Sequence, residues 1–151
     1  MSKTLTPIPA TPADAAEVLV LQRCCWAGEA ISNNDLSIPA LSEPLEVVRS
    51  WMPQAWVLRD GTRLVGAVRA HRDEDTWQIG RLMVAPDRHG QGLGRLLLAH
   101  VESQAPDGVT AFELFTGTGS ERNIGMYQRA GYREVRRNEA LVFLRKPKGS
   151  A

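Results

Sequence analysis

In "LGRLLLAHVES", Leu93, Leu96, Leu97, His100 and Val101 fall at i, i+3, i+4, i+7 and i+8, which predicts an amphipathic helix over 93–103. A second helix is announced by "TPADAAEVLVLQRCCW", where Thr11 is a candidate N-cap, Pro12 suits the first helical position and Asp14 the first turn. Before it, "TLTPI" reads as a short strand. After it, a stretch rich in Ser, Asn, Asp and Pro is expected to be a loop from Gly28 to Glu43, followed by a short helix in "SEPLEVVRSW". The apolar run "AWVL", the Asp60-Gly61 turn and "TRLVGAVRAH" predict a hairpin, and "WQIGRLMVA" adds a third strand, making an antiparallel meander. Beyond the 93–103 helix, "VTAFELFT" is a strand and "SERNIGMYQRA" a helix stopped by Gly131. "YREVRR" and "ALVFLRK" form a closing strand pair.

Composition narrows what these elements can be. A chain of 151 residues with 43% hydrophobic side chains is the size of one domain with a real core, here residues 1–151 with 146–151 as a flexible tail. There is no apolar run long enough to span a bilayer, and "MSKTLTPIPATPAD" lacks the apolar stretch of a signal peptide, so a soluble, cytoplasmic protein is expected. With 18 basic and 17 acidic residues interspersed, nothing suggests a nucleic-acid face or a membrane anchor. Cys24 and Cys25 are too few and too close for a disulfide framework or a zinc site, and are expected to be buried small side chains. Trp26, Trp51, Trp56 and Trp77 read as core or rim aromatics.

The chemistry-bearing stretch is "VAPDRHGQGLGRLLLAHVES", in which Gly90, Gly92 and Gly94 lie between a strand and a helix. The first N–H groups of a helix lack internal partners and the helix dipole is positive there, so this junction predicts an anion site, most simply for phosphate. Glycine lets the backbone close on the oxygens and adopt positive φ. Arg95 and Leu96 follow Gly94 where a Walker loop needs Lys and Ser or Thr, which excludes that reading. A dinucleotide fingerprint fails as well, because Gly94 comes two positions after Gly92 and the preceding strands are antiparallel.

"HGQGLG" at 89–94 resembles the signature of the GNAT superfamily of acyl-CoA-dependent N-acyltransferases: Arg or Gln, two residues, Gly, one residue, then Gly or Ala. His89 departs from it at the first position. "LMVAPD" and "SERNIGMYQRAGY" extend the resemblance, the latter being similar to a family helix that begins at Asn, here Ser120, and ends in Tyr, three residues, Gly and an aromatic. It covers residues 77–132, and the order of predicted elements is also the family's. What it implies is an α/β (α+β) fold with a mixed, mostly antiparallel central sheet of six to seven strands and about four flanking helices.

The resemblance further implies that acetyl-CoA is the co-substrate, with no metal. Leu82, Met83 and Val84 would pair their main chain with its pantetheine arm, and Arg88, His89, Gly90, Gln91, Gly92, Leu93, Gly94 and Arg95 would surround its pyrophosphate. Ser120 and Asn123 would contact the same molecule, and Arg122 and Arg129 lie toward the phosphate end. Tyr127 matches the family tyrosine, a candidate acid for the departing thiolate; packing in the core is its alternative. Strand alternation puts Gln78, Gly80 and Leu82 on the face from which some members project a base, and none of the three can take a proton. Glu113 is the leading candidate base, with His71, Glu29 and a water relay as alternatives. The expected reaction is acetyl transfer to a primary amine by direct attack, the acceptor being a small molecule or a protein amine. A homodimer is compatible with this reading. A non-catalytic acyl-CoA-binding module is the rival.

Overall fold

The Thr11 N–H donates to the Asp14 carboxylate at 2.8 Å and Pro12 opens the turn, so the chain enters its first long helix where the sequence predicts. The structure, a computed structural model, describes residues 4–149. In chain order the elements are β1 (Ile8–Pro9), α1 (Ala15–Asn33), α2 (Pro39–Ser42), α3 (Leu45–Ser50), β2 (Ala55–Asp60), β3 (Arg63–Asp73), β4 (Thr76–Val84), α4 (Leu93–Ser103), β5 (Ala111–Gly117), α5 (Glu121–Arg129), β6 (Arg133–Arg137) and β7 (Leu141–Pro147). Seven strands form one sheet in the order β1-β2-β3-β4-β5-β7-β6. Every pair is antiparallel except β4 and β5. This is the expected mixed α/β architecture.

Three expectations change. The loop predicted from Gly28 onward is helical as far as Asn33, and Asn34 ends α1 at φ 50°. A Cβ on Gly28 would meet nothing within 4 Å, so this glycine costs only its helix propensity, about 1 kcal/mol. Burial of Ala30 and of Ala40 in the one-turn helix α2 offsets that, and α2 brings the helices to five among the described residues. The first strand shrinks to Ile8–Pro9. The expected tail from residue 146 is not free at its start, because Pro147 pairs with Ala111 and the Lys148 N–H donates to Thr110 O at 2.9 Å; Ser150 and Ala151 lie outside the described residues.

One irregularity shapes the centre of the sheet. Ala67 pairs with Met83 and Arg69 with Gly80, so two steps on β3 oppose three on β4. The extra residue is accommodated at Arg81, whose φ is 51°. Ala67 and Arg69 share a face, hence Met83 and Gly80 do, and Leu82 turns to the opposite face rather than joining Gln78 and Gly80 as simple alternation predicts. Past this bulge the strands separate: β4 pairs with β5 only through Thr76, Trp77 and Gln78. Buried residues of both faces form one core, with Leu97, Leu98 and Val101 of α4 beneath β3 and β4. Gly66 permits this approach, since a Cβ there would lie 2.8 Å from Leu97 Cδ1 and 3.2 Å from Met83 O.

Candidate active site

The fork between β4 and β5 leads into the glycine loop. The Ala85 N–H donates to Val65 O at 2.8 Å, so alternation turns the N–H and C=O groups of Leu82 and Val84 away from β3 and into the fork, where no strand meets them. Gly90 and Gly92 have φ of 80° and 78°, and Gly92 caps α4. Nothing lies within 4 Å of a Cβ built on either, so the space before the helix terminus is open. Gly94 serves packing instead. A Cβ on it would come 3.2 Å from Met126 Sδ and 3.9 Å from Val84 Cγ2, so its absence lets α4, α5 and β4 converge. Amides with positive dipole, an open seat and a free strand edge fit a ligand made of a pyrophosphate followed by an amide-bearing arm.

His89 joins these parts. Its Nε2 lies 3.1 Å from Val84 O, and its Nδ1 lies 3.1 Å from Arg122 Nη1. A carbonyl only accepts and a guanidinium only donates, so Nε2 carries the proton and Nδ1 accepts. The Val84 carbonyl also accepts from the Cys25 thiol at 3.2 Å. Arg88 does not face the seat: it pairs with Asp60 at 3.0 Å and donates to Gln91 Oε1 at 3.0 Å, which ties the loop to the β2–β3 turn. Arg95 is exposed on the first turn of α4, and Arg129 is exposed at the end of α5. Leu93 is buried and anchors that turn.

Ser120 and Asn123 turn their side chains to Glu29. Ser120 Oγ donates to one carboxylate oxygen and Asn123 Nδ2 to the other at 2.8 Å. Asn33 completes the network, donating to Glu29 O at 2.8 Å and accepting from the Gly119 N–H at 2.6 Å. Sequence reading singles out Glu29 only as a base and overlooks Asn33; partners some 90 positions away carry no local signal. The network holds the end of α1 against the start of α5, across the fork.

Tyr127 lies beside that network. It is buried, its ring centroid is 6.0 Å from that of Tyr132, and no hydrogen bond reaches its hydroxyl among the described residues. Burial, reinforced by the Glu29 charge, pushes the phenol above its ordinary value and keeps it protonated. The spacing to Gly131 and Tyr132 has a backbone cause as well. Gly131 sits at φ 101° and the Tyr132 N–H reaches Tyr127 O at 3.0 Å, a Schellman end that brings the two rings together.

Glu113 sits where the strands part. It is the last β5 residue paired with β4, opposite Gln78, whose Nε2 donates to it at 2.8 Å; Arg145 forms an ion pair with its other oxygen. With Gln78, Phe115, Val135, Arg136 and Phe143 it lines a cleft of about 500 Å³. His71 is exposed, in register with Gln78. The cysteines separate: Cys24 is exposed, contrary to the expected burial, and Cys25 is half-buried, its thiol pushed up to about 11 by burial. Among the described residues no group of three or more His, Cys, Asp or Glu side chains is placed to hold a metal ion, and no helix is long and apolar enough to cross a membrane.

The sequence profile of the acetyltransferase (GNAT) family matches residues 21–132. The peptidyl-lysine N-acetyltransferase YjaB of Escherichia coli (strain K12) is 29% identical over 120 residues, covering 76% of this chain and 75% of that protein. The UPF0157 protein YqkA of Bacillus subtilis (strain 168) is 26% identical over 121 residues, 80% of this chain; the chain spans only 35% of that protein's length. Among solved structures, the PaiA N-acetyltransferase of Thermoplasma acidophilum in complex with coenzyme A superposes with a TM-score of 0.82 at 11% identity, covering 96% of this chain and 99% of that one. At that identity the likeness is one of fold.

Proposed function

Since the chain belongs to the acetyltransferase (GNAT) family, we propose that it is an N-acetyltransferase that passes an acetyl group from acetyl-CoA to a primary amine by direct attack. The observation that carries this reading is the fork: a strand edge that no neighbouring strand pairs, at Leu82 and the Val84 N–H, runs into an open, amide-lined helix terminus, with a protonated tyrosine at its side. The amides from Gly90 to Arg95 hold the pyrophosphate, and the main chain of Leu82 and the Val84 N–H hold the arm. Arg95 and Arg122 extend toward the phosphates, while Arg88 and His89 brace the loop. Ser120 and Asn123 frame the channel through Glu29. A cytoplasmic location accords with a small-molecule thioester as donor.

Bound acetyl-CoA supplies an acyl carbon whose carbonyl oxygen gains charge as nitrogen adds. A strand N–H in the fork stabilises that charge. The C–N bond forms, the C–S bond breaks, Tyr127 gives its proton to the departing sulfur, and the proton that the acylated nitrogen sheds returns to Tyr127. A phenol has an ordinary pKa of about 10 and a thiol about 8.5, so Tyr127 is protonated at neutral pH and its hydroxyl can donate to the sulfur as charge develops there. The amine loses its extra proton through water to Glu113, whose oxygens already carry the Gln78 and Arg145 donors. Glu113→Gln is expected to lower the kcat/KM plateau about 10²-fold. An unchanged pH profile together with an unchanged rate would make Glu113 a purely structural carboxylate. Direct attack accords with Cys25, whose raised pKa disfavours an acyl-thioester there. The reading as a whole is tested by adding amines to protein and acetyl-CoA: thiol release that depends on the amine supports it, and binding without release refutes it.

A further inference from the structure

On the side of the sheet that carries Glu113, two arginines, Arg69 and Arg81, lie near a single carboxylate, that of Glu43. Arg81 donates from Nη2 to Glu43 Oε2 at 2.6 Å, and Glu43 Oε1 accepts the Trp51 Nε1–H at 2.5 Å. Both oxygens of Glu43 are therefore engaged. Arg69 forms no ion pair or hydrogen bond among the described residues; its guanidinium lies 4.9 Å from the centroid of the Trp51 ring. The Arg81 Nε–H is buried without a partner. Buried polar groups are ordinarily hydrogen-bonded, so an orphaned guanidinium N–H beside an unpaired, half-buried arginine leaves the cluster one negative charge short.

Position gives that deficit meaning. Arg69 is in register with Gly80, whose missing side chain leaves its flank open, and a Cβ there would find only Arg69 Nε at 3.8 Å. The bulge that gives Arg81 its φ of 51° aims it at Glu43 on the same face and immediately precedes Leu82, whose main chain enters the fork. Burial, followed by repulsion from Arg81, holds Arg69 below its ordinary value, and an anion would relieve both. Further along this face Arg136 stacks 4.0 Å over Phe143.

We propose that Arg69 and Arg81 form an anion seat on the acceptor side of the fork, and that the acceptor is a small amine bearing its own carboxylate, held there while its nitrogen faces the fork. The proposal rests on the acetyl-transfer reading for the nitrogen, but the carboxylate seat stands independently of it. Enclosure favours a small molecule, since only 15% of the Arg81 side chain is exposed. Arginine pairs with a carboxylate through two parallel N–H donors, a match a carboxamide cannot make.

The test uses a panel of L-amino acids, each compared with its own carboxamide, in two assays on the full chain. In the first, acetyl-CoA consumption is followed for every pair. At least one amino acid should exceed its carboxamide about 10- to 100-fold in kcat/KM, the range expected for a charge-assisted hydrogen bond. In Arg69→Gln that ratio should fall to within about threefold of one through a rise in KM, with the melting temperature checked to confirm folding. In the second assay, calorimetry with coenzyme A present compares N-acetyl amino acids with their carboxamides and needs no turnover. Arg69-dependent binding of the carboxylates supports the seat even if no amine is acetylated, in which case acetyl transfer is the reading that falls. Carboxamides that match or exceed the acids in both assays, or a preference confined to acidic peptides, would overturn the proposal.

Discussion

Replacing Gly92 with glutamate is expected to abolish measurable acetyl-CoA binding, at least a roughly 100-fold loss, in a domain that still folds. Two effects act together. At φ 78° an L-residue is strained by about 1–2 kcal/mol, which shifts the amides that flank it. The larger effect is electrostatic: nothing lies within 4 Å of a Cβ at Gly92, so the new side chain is free to occupy the open space before α4, and a carboxylate there competes for the donors that the pyrophosphate requires. Gly92→Ala separates the two, since it adds the strain without the charge and should lose much less affinity. Gly94→Glu should also abolish binding: its Cβ would press on Met126 Sδ at 3.2 Å, and its carboxylate would lie in the first turn of α4 beside the pyrophosphate seat. Calorimetry measures all three variants, and undiminished affinity in both glutamate variants would remove this loop from the site.

Tyr127→Phe should lower kcat by about 10- to 10³-fold while acetyl-CoA affinity changes little. The substitution removes only a hydroxyl that makes no hydrogen bond among the described residues, so packing against Tyr132 and the Schellman end of α5 survive. A phenol that served packing alone would be replaced without kinetic effect and with little change in stability. Stopped-flow or steady-state turnover distinguishes the two outcomes, and wild-type kcat would reduce Tyr127 to a core residue.

What the sequence makes legible is local. The helix at 93–103 and the glycine turn before it are written in adjacent residues, and α4 begins and ends where the apolar stripe does. The bulge at Arg81 has no such signal. An arginine at positive φ is held by Glu43 and by Trp26, whose ring centroid lies 5.8 Å from its guanidinium, and these come from other elements. That bulge reverses the face of Leu82 and points Arg81 at the acceptor side. The end of α1 is equally hidden: Gly28 and the polar residues after it suggest a loop, whereas Glu29 and Asn33 are fixed by contacts with the start of α5. Cys24 and Cys25 show the same limit. Neighbours on a helix point about 100° apart, so one meets Val84 O while the other faces solvent.

The function proposed for this fork is to bring an amine to an acyl thioester with no covalent intermediate on the protein. Initial velocities of thiol release, measured while acetyl-CoA and the best amino acid of the panel are both varied, decide whether it does. Direct transfer predicts release that requires the amine, one N-acetylated product per thiol, and double-reciprocal lines that converge, as a ternary complex demands. Parallel lines, or saturable acetyl-CoA binding with no amine-dependent release, would contradict it.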